Sequence, residues 1–455
     1  MRGPTLYKAV VAAGAVALLA AACSSSSSGG GGSSAAASTG GGSTPASSTG
    51  SSTQNFGGKT INIWTSMDKP VYEGLAAELA PKAKALGINV KWTQVSNINQ
   101  ILPTKAAAGA LPDIATVPQP GVLESLLKYA TPLNNIVDVN ALQQSMIPGV
   151  LDTATFNGKL YGVLISANVK GLVFYPKAAF TAKGYTVPTT LAELETLTNK
   201  IKSDGHTPWC AGIGSGAATG WPMTDWIEEL VLKQDGIQTY NDWITHKVKF
   251  NSPQITNAAN EVSKLLFTQG NVNGGQKAIA STNFQTADNP MFNQSPGCYL
   301  FMQGSFITAF FPTKDQQNNP LKYVGVFGFP PVTAGGNNPI EGGGDTASIY
   351  KDSPAAEAVM KLLAETDLGT VAAGNGSSFL SPHKDFPLSA YKSAFTQVVA
   401  KIAYAANGFG FDASDSMPGA VGAGTFWKQM TSWTAGQTSL TSALKAIDAS
   451  WPASS

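Results

Sequence analysis

The sequence predicts an α/β protein folded as two lobes. Two observations carry that expectation. From Lys59 onward, strand-like and helix-like segments alternate, the order that builds a parallel sheet with helices on its faces. Residues 56–455 are also too many for one small core.

The elements follow in order. Lys59 to Thr65 (KTINIWT) alternates apolar and polar side chains, as a half-buried strand does. Val71 to Leu86 reads as a helix closed by Gly87, and Ile88 to Val95 as the next strand. Ile98 to Ala108 is helical up to Gly109, Asp113 to Val117 is a third strand, and Val122 to Tyr129 a third helix. Leu160 to Tyr175 is rich in strand formers and long enough to cross between lobes. Helices then dominate: Leu191 to Ser203, Asp225 to Gln234, and Ile255 to Gln269 after Asn251-Ser252-Pro253. Tyr323 to Phe329 returns to strand, and Ser353 to Asp367, Ala390 to Tyr404 and Thr425 to Gly436 fit helices. No internal repeat is visible.

The first 55 residues are of another kind. Arg2 and Lys8 precede an apolar run, Ala9 to Ala22, that ends in Ala20-Ala21-Ala22-Cys23. A basic start, a short apolar middle and small residues before the cut make a secretory signal. The run is shorter than the roughly 20 residues of a membrane span. Cysteine directly after small residues resembles the bacterial lipobox, with Ala20 where leucine is usual. Residues 1–22 are therefore expected to be a lipoprotein signal peptide, with Cys23 the site of lipid attachment. Residues 23–55 are almost entirely Ser, Gly, Ala and Thr, with no charge between Cys23 and Lys59. Such a segment cannot bury apolar surface and is expected to be a disordered tether. Its coil span is on the order of 30 Å.

Charged residues make up 13% of the chain, about half the usual share. Without Arg2 and Lys8, 27 basic residues face 28 acidic ones. A near-neutral chain has no electrostatic reason to seek nucleic acid or anionic lipid. After Arg2 there is no arginine, so bidentate forks for carboxylate or phosphate are unavailable. With Cys23 lipidated, Cys210 and Cys298 remain in an oxidising compartment. A disulfide is the economical pairing, and two buried free thiols are the alternative.

No phosphate loop, G-x-S-x-G elbow or dinucleotide-binding glycine motif occurs. His206, His246 and His383 have no metal-ligand spacing, so neither metal nor cofactor is expected. Asp225, Glu228 and Glu229 stand at i, i+3 and i+4 and share one helix face. That pattern fits a solvated or N-terminal helix face, at least for Glu228 and Glu229; a glycosidase carboxylate pair, which needs no local motif, stays open. Aromatic residues are the richer signal. Trp209, Trp221, Trp226 and Trp243 fall close together, Trp64 ends the first strand, and Trp427 and Trp433 lie near the C-terminus. A sugar ring has apolar C–H faces and a rim of hydroxyls, so it suits aromatic plates edged by carboxylates and amides. Core packing is the competing reading for any one of these tryptophans.

Longer blocks resemble the extracellular solute-binding protein family 1, the carbohydrate receptors of ABC importers, over most of residues 59–450. Ile63-Trp64 followed by Asp68-Lys69 is similar to the first-strand end of the maltose-binding members. Gly109 to Val117 (GALPDIATV) is similar to the family's G-x-x-P-D-[IV] segment. Asn157 to Phe180 resembles its lobe-crossing stretch, with Leu164 in place of Pro and Pro176 in place of Asn. His206 to Glu229 (HTPWCAGIGSGAATGWPMTDWIEE) and Gly297 to Phe306 (GCYLFMQGSF) resemble blocks of the α-glucoside-binding branch. Each block holds one cysteine, which supports a Cys210–Cys298 disulfide. Gly342 to Asp345 (GGGD) and Phe411 to Trp427 also look like that branch.

The resemblance implies a type II periplasmic-binding-protein-like fold, with a ligand cleft between two lobes joined by hinge crossings. Lobe one would comprise 56–165 and 323–385, and lobe two 170–320 and 390–455. It implies a monomeric, lipid-anchored receptor on the outer face of a bacterial cell membrane, delivering a neutral oligosaccharide to ABC permease subunits, with no catalysis. Trp64, Trp209, Trp221 and Trp226 are the expected stacking residues. Asp68, Lys69, Gln119, Asp225, Asp345, Asp412 and Asp415 are expected to meet hydroxyls. Ser166, Asn168 and Lys170 are expected where the crossing faces the cleft. A receptor for a polyol, polyamine or peptide, and a secreted glycoside hydrolase using Asp225, Asp345 or Asp412, are the alternatives.

Overall fold

A computed structural model describes residues 55–452. The expected signal peptide, Cys23 and nearly all of the tether lie outside the described residues. The strands, in chain order, are β1 (Lys59–Thr65), β2 (Ile88–Gln94), β3 (Ile114–Val117), β4 (Thr155–Phe156), β5 (Lys159–Leu160) and β6 (Val163–Val169). They continue with β7 (Leu172–Pro176), β8 (Phe301–Gln303), β9 (Val324–Gly328), β10 (Ile340–Ile349) and β11 (Phe409–Phe411).

Six strands form the larger sheet, in the order β11-β10-β3-β1-β2, with β6 also paired to β10. β1 runs parallel to β2 and β3, and β10 parallel to β11. The fully parallel sheet expected from the alternation is corrected: β10 is antiparallel to both β3 and β6. The reason is the path of the chain. β6 carries it out to the second lobe, and β10 brings it back from the same end, pairing Gly342 with Val169. The smaller sheet is β8-β7-β9, antiparallel throughout. Two cores are present, and the smaller sheet stands between them, giving Leu172 and Phe174 to the first and Val173 and Phe327 to the second. Ile61, Ile63, Ile114 and Val117 are buried in the first, and Val173, Ile227, Leu230 and Trp243 in the second.

Two expected lobe boundaries move. Residues 323–329, expected in lobe one, supply β9 to the smaller sheet. In the stretch expected in lobe two, 409–411 adds β11 to the larger sheet, while the helix 394–404 stacks Phe395 on Phe174 of β7 in the smaller sheet. Strand propensity says that a segment is extended, not which sheet it joins.

Most helices fall where their periodicity places them, among them Lys69–Ala85, Ile98–Ala107, Leu191–Ser203 and Ala394–Tyr404. The expected helix 225–234 is part of a longer one, Trp221–Ile244, which opens on Pro222 and continues past a kink at Gly236. β10 (IEGGGDTASI) is not among the expected strands; glycines weaken the strand signal. They are what the pairing needs: a Cβ on Gly342 would lie 2.5 Å from the Asn168 carbonyl oxygen, and one on Gly344 2.1 Å from that of Ser166.

Only Lys170 and Gly171 separate β6 from β7, so they form the tightest crossing between the lobes. Gly171 has φ +63°, and a Cβ there would lie 2.4 Å from the Glu229 carboxylate. In the second lobe, Cys210 and Cys298 are joined as a disulfide with Cα atoms 5.3 Å apart, beside the Cys210 N–H bond to the Leu300 carbonyl at 2.7 Å. The bridge closes a span of 88 residues. The double variant C210A/C298A should lose about 4–5 kcal/mol in urea unfolding, the chain-entropy value for such a loop. A loss under about 1 kcal/mol would show that the second lobe does not depend on the bridge.

Candidate ligand-binding site

Three chain segments meet where the larger sheet hands over to the smaller: the end of β6, the start of β10 and the end of β11. Each brings a charge to that point. Lys170 follows β6, Glu341 lies in β10 and Asp412 follows β11. The helix Trp221–Ile244 adds Asp225, Glu228 and Glu229 from lobe two. All six are buried. The Lys170 ammonium donates to Asp225 Oδ1 at 2.9 Å and to Asp412 Oδ2, and lies 3.7 Å from Glu341 Oε1. Glu228 accepts from the Ala413 N–H at 2.6 Å and from the Tyr240 hydroxyl at 3.3 Å. Glu229 pairs with Lys233 at 3.2 Å and accepts from the Glu341 N–H.

The electrostatics follow from burial and excess acid. Burial works against the Lys170 ammonium, but Asp225, Asp412 and Glu341 hold it well above the ordinary lysine range. Burial pushes Asp225 up to about 7, although Lys170 pulls the other way. Glu228 and Glu341 are pushed well up, by burial first and then by neighbouring carboxylates. Asp412 lies below its ordinary value despite burial, because Lys170, Ser414 and the Asp415 N–H all favour its charged form. Asp225, Glu228, Glu341 and Asp412 each place an oxygen within 4.8 Å of the others. Lys170 supplies a cation inside that set.

An open cavity of about 230 Å³ adjoins this cluster. Asp68 enters it from the turn after β1, Ser166 and Asn168 from β6, and Gly344 and Asp345 from β10. Ser305 and Phe306, just past β8, and Ser378 complete the wall. The cavity is rich in acceptors. The buried Asn168 Oδ1 has no hydrogen-bond partner. Asp345 is pushed up to about 7, by burial and then by the charge of Asp68. Beside it runs an aromatic wall. Trp221 sits 5.8 Å from Phe306 and 4.9 Å from Phe284, centroid to centroid, and Phe310 lies 5.7 Å beyond Phe284. The Trp221 indole N–H donates to Ser215 Oγ at 3.1 Å, and Lys170 Nζ stands 5.2 Å from its ring centroid.

The expected residues separate into four groups. Asp68, Asn168 and Asp345 share the cavity. Lys170, Asp225 and Asp412 form the buried cluster, which Asp415 joins through its N–H to Asp412. Gln119 donates to Asp415 Oδ1 at 2.5 Å and accepts from Asn99 at 2.8 Å. Trp221 lies between cavity and cluster, and Trp64 is half-buried against the first core. The last group is corrected. Trp209 is fully buried, donating to Thr198 Oγ1 at 3.1 Å, and Trp226 packs edge-on between it and Phe329; both are core. Lys69 points away to Glu73, 3.7 Å off and exposed. The solvated face considered for Glu228 and Glu229 is also wrong, since both are buried. Sequence reasoning did not single out Phe306, Ser305, Ser378 or Glu341. The first two lay inside the quoted GCYLFMQGSF block, whose recurrence was the available signal.

Two sheets, several crossings and an acceptor-lined cavity beside them define a hinged solute receptor. The chain belongs to the bacterial extracellular solute-binding proteins, whose family model matches residues 67–365. It is 35% identical over 396 residues to the osmoprotective compounds-binding protein GgtB of Synechocystis sp., covering 87% of this chain and 93% of that protein. It is also 35% identical over 399 residues to the alpha-glucosides-binding periplasmic protein AglE of Rhizobium meliloti, covering 84% and 85%. The fold matches the solute receptor AcbH with a TM-score of 0.73 at 17% identity, over 86% of this chain and 98% of that one. RafE from Streptococcus pneumoniae matches with 0.67 at 18%, over 87% and 97%. The protein is thus a type II, two-lobed, extracytoplasmic solute receptor of the ABC-importer kind, and not an enzyme. Among the described residues, no helix is long and apolar enough to cross a membrane.

Asp345 makes a pH prediction. Its ordinary value is 3.8, and the fold raises it to about 7, so the folded state binds the proton more tightly than the unfolded chain. Stability contributed by this group is therefore lost as pH rises from about 4 to about 7. Asp345→Asn should shrink the fall in urea midpoint between about pH 5 and pH 8, leaving the part due to the other raised carboxyls, among them Asp225, Glu261, Asp288 and Asp415. An unchanged fall would show that Asp345 does not titrate in that interval.

Proposed function

We propose that the protein captures an α-glucoside or related neutral oligosaccharide and presents it to the permease subunits of an ABC importer. The observation that carries this reading is the pairing of an acceptor-rich cavity with an aromatic wall, in a chain 35% identical to an alpha-glucosides-binding protein over most of its length. Sugar hydroxyls donate to Asp68, to Asp345 and to the unpartnered Asn168 Oδ1, while Trp221 and Phe306 cover C–H faces. Ligand contacts made from both lobes favour the closed state, and closure takes the sugar out of water. The buried cluster sits behind the site and keeps Trp221 at its edge.

An osmoprotective compound is the second reading, supported by the equal identity to the Synechocystis receptor. A thermal-shift screen against neutral sugars and compatible solutes, followed by calorimetry, separates the two. A true ligand at 100 times its dissociation constant adds about 2.7 kcal/mol to stability. Trp221→Ala should weaken binding of that ligand at least about tenfold, or ~1.4 kcal/mol, with the fold retained. A stabilising peptide or polyamine and no stabilising sugar would overturn the assignment.

The proposed anchor is a lipid on Cys23, with the monomeric folded part held off the membrane by the Ser/Gly/Ala tether. The support is the basic, apolar and small-residue order before Cys23. Cys23→Ser should move the protein from the membrane fraction to the soluble extracytoplasmic fraction. Retention in the membrane fraction would remove the lipid from the account.

A further inference from the structure

Five carboxyl groups are buried where the lobes join: Asp225, Glu228, Glu229, Glu341 and Asp412. Two buried ammonium groups face them, Lys170 and Lys233, so the acids are in excess by three. Lys233 serves Glu229, and Lys170 engages one oxygen of Asp225 and one of Asp412. Glu341 is served least. It is fully buried, neither of its oxygens has a hydrogen-bond partner, and Lys170 Nζ stands 3.7 Å from Oε1. A buried carboxyl in that state is costly unless something else contacts it.

The oxygens are spaced for a shared ion. Asp225, Glu228, Glu341 and Asp412 each bring one within 4.8 Å of the other three. Calcium takes oxygens at about 2.3–2.6 Å, so oxygens on opposite sides of it are about 4.6–5.2 Å apart, and one ion can touch all four. The donors are all oxygen, with no imidazole or thiolate among them, which selects a hard cation over zinc or copper. The lack of metal spacing among His206, His246 and His383 bears on those softer metals and leaves calcium open. Magnesium gives up its waters reluctantly, which a buried set of carboxylates does not favour. Asp225 and Glu228 belong to the helix Trp221–Ile244, Glu341 to β10, and Asp412 follows β11. An ion held by all four ties the second lobe to two strands of the larger sheet.

We propose that this cluster is a calcium site at the joint between the lobes, with Glu341, Asp225, Glu228 and Asp412 as its carboxylate ligands beside Lys170. It does not depend on which solute the cleft takes. The test is thermal unfolding and calorimetry of the full chain, stripped with EDTA and exchanged into metal-free buffer near neutral pH. CaCl2 at about 10 mM should raise the melting temperature by about 2 °C or more, with a dissociation constant of about 1 mM or tighter. MgCl2 at the same concentration should give less than half that rise. Glu341→Gln and Asp225→Asn keep size and shape, and each should remove the calcium response. Terbium, which replaces calcium and is sensitised by a nearby indole, reads the location without any variant. Trp221 stands 5.2 Å from Lys170 Nζ, so terbium emission excited through tryptophan should appear and be displaced by CaCl2. No rise with CaCl2 and no terbium emission in the native protein would overturn the proposal and leave protons to carry the excess. A rise of the same size in both variants would place the ion elsewhere and overturn it too. Equal rises with MgCl2 and CaCl2 would overturn the choice of calcium.

Discussion

The Lys170 ammonium is the constraint on which the rest of the arrangement turns. Carboxylates from two chain segments of the larger sheet, Glu341 and Asp412, and from one helix of lobe two, Asp225, converge on it. Removing an ion from water costs several kcal/mol, and that is offset only when the partners are close and their remaining lone pairs are used. For two of the acids they are used: Asp412 also accepts from Ser414 Oγ and the Asp415 N–H, and Glu228 from the Ala413 N–H, whereas both oxygens of Glu341 have no hydrogen-bond partner. Acid still exceeds base, so part of the cluster holds protons near neutrality. The cluster therefore fixes where the crossings meet and which protons they carry.

Its neighbours inherit their positions from it. Lys170 is followed by Gly171, whose missing side chain makes room for Glu229. Lys170 also faces the Trp221 ring, and Trp221 leads to Phe306 and the cavity. The cavity wall is built differently. Its triple glycine, Gly342 to Gly344, brings β10 close to β6, so that Asp345 and Asn168 line the same cavity. A receptor must release what it binds, and a wall of acceptors for neutral hydroxyls holds a ligand without burying a new charge pair. The low charge content of the chain and its lack of arginine after Arg2 agree with that.

Much of this was legible in residue order. The strand Lys59–Thr65 and the helix Leu191–Ser203 follow their periodicity to the residue, because each has one clean apolar face. The cavity residues Asp68, Asn168 and Asp345 were reachable through recurring blocks. Trp209 and Trp226 were not assigned well, because an indole in a core and an indole in a cleft look alike in sequence. β10 was missed: glycine weakens the strand signal unless the strand it must approach is known. Glu228 and Glu229 were read as a solvated or N-terminal helix face because a buried acid is costly unless partnered, and besides the nearby Tyr240 and Lys233 they accept from the backbone of Ala413 and Glu341, 185 and 112 residues away.

By itself, the sequence determined the α/β class, the order of most elements, the neutral polar character of the surface, and the blocks that mark the family. These depend on local propensity and composition, which act over a few residues. Only the tertiary structure decided which sheet takes β9 and β11, that β10 runs against β3 and β6, that Lys170 meets Asp225 and Asp412, and that Trp209 and Trp226 pack in the core. Those outcomes depend on contacts between residues far apart in the chain, whose energies arise only once the chain has closed on itself.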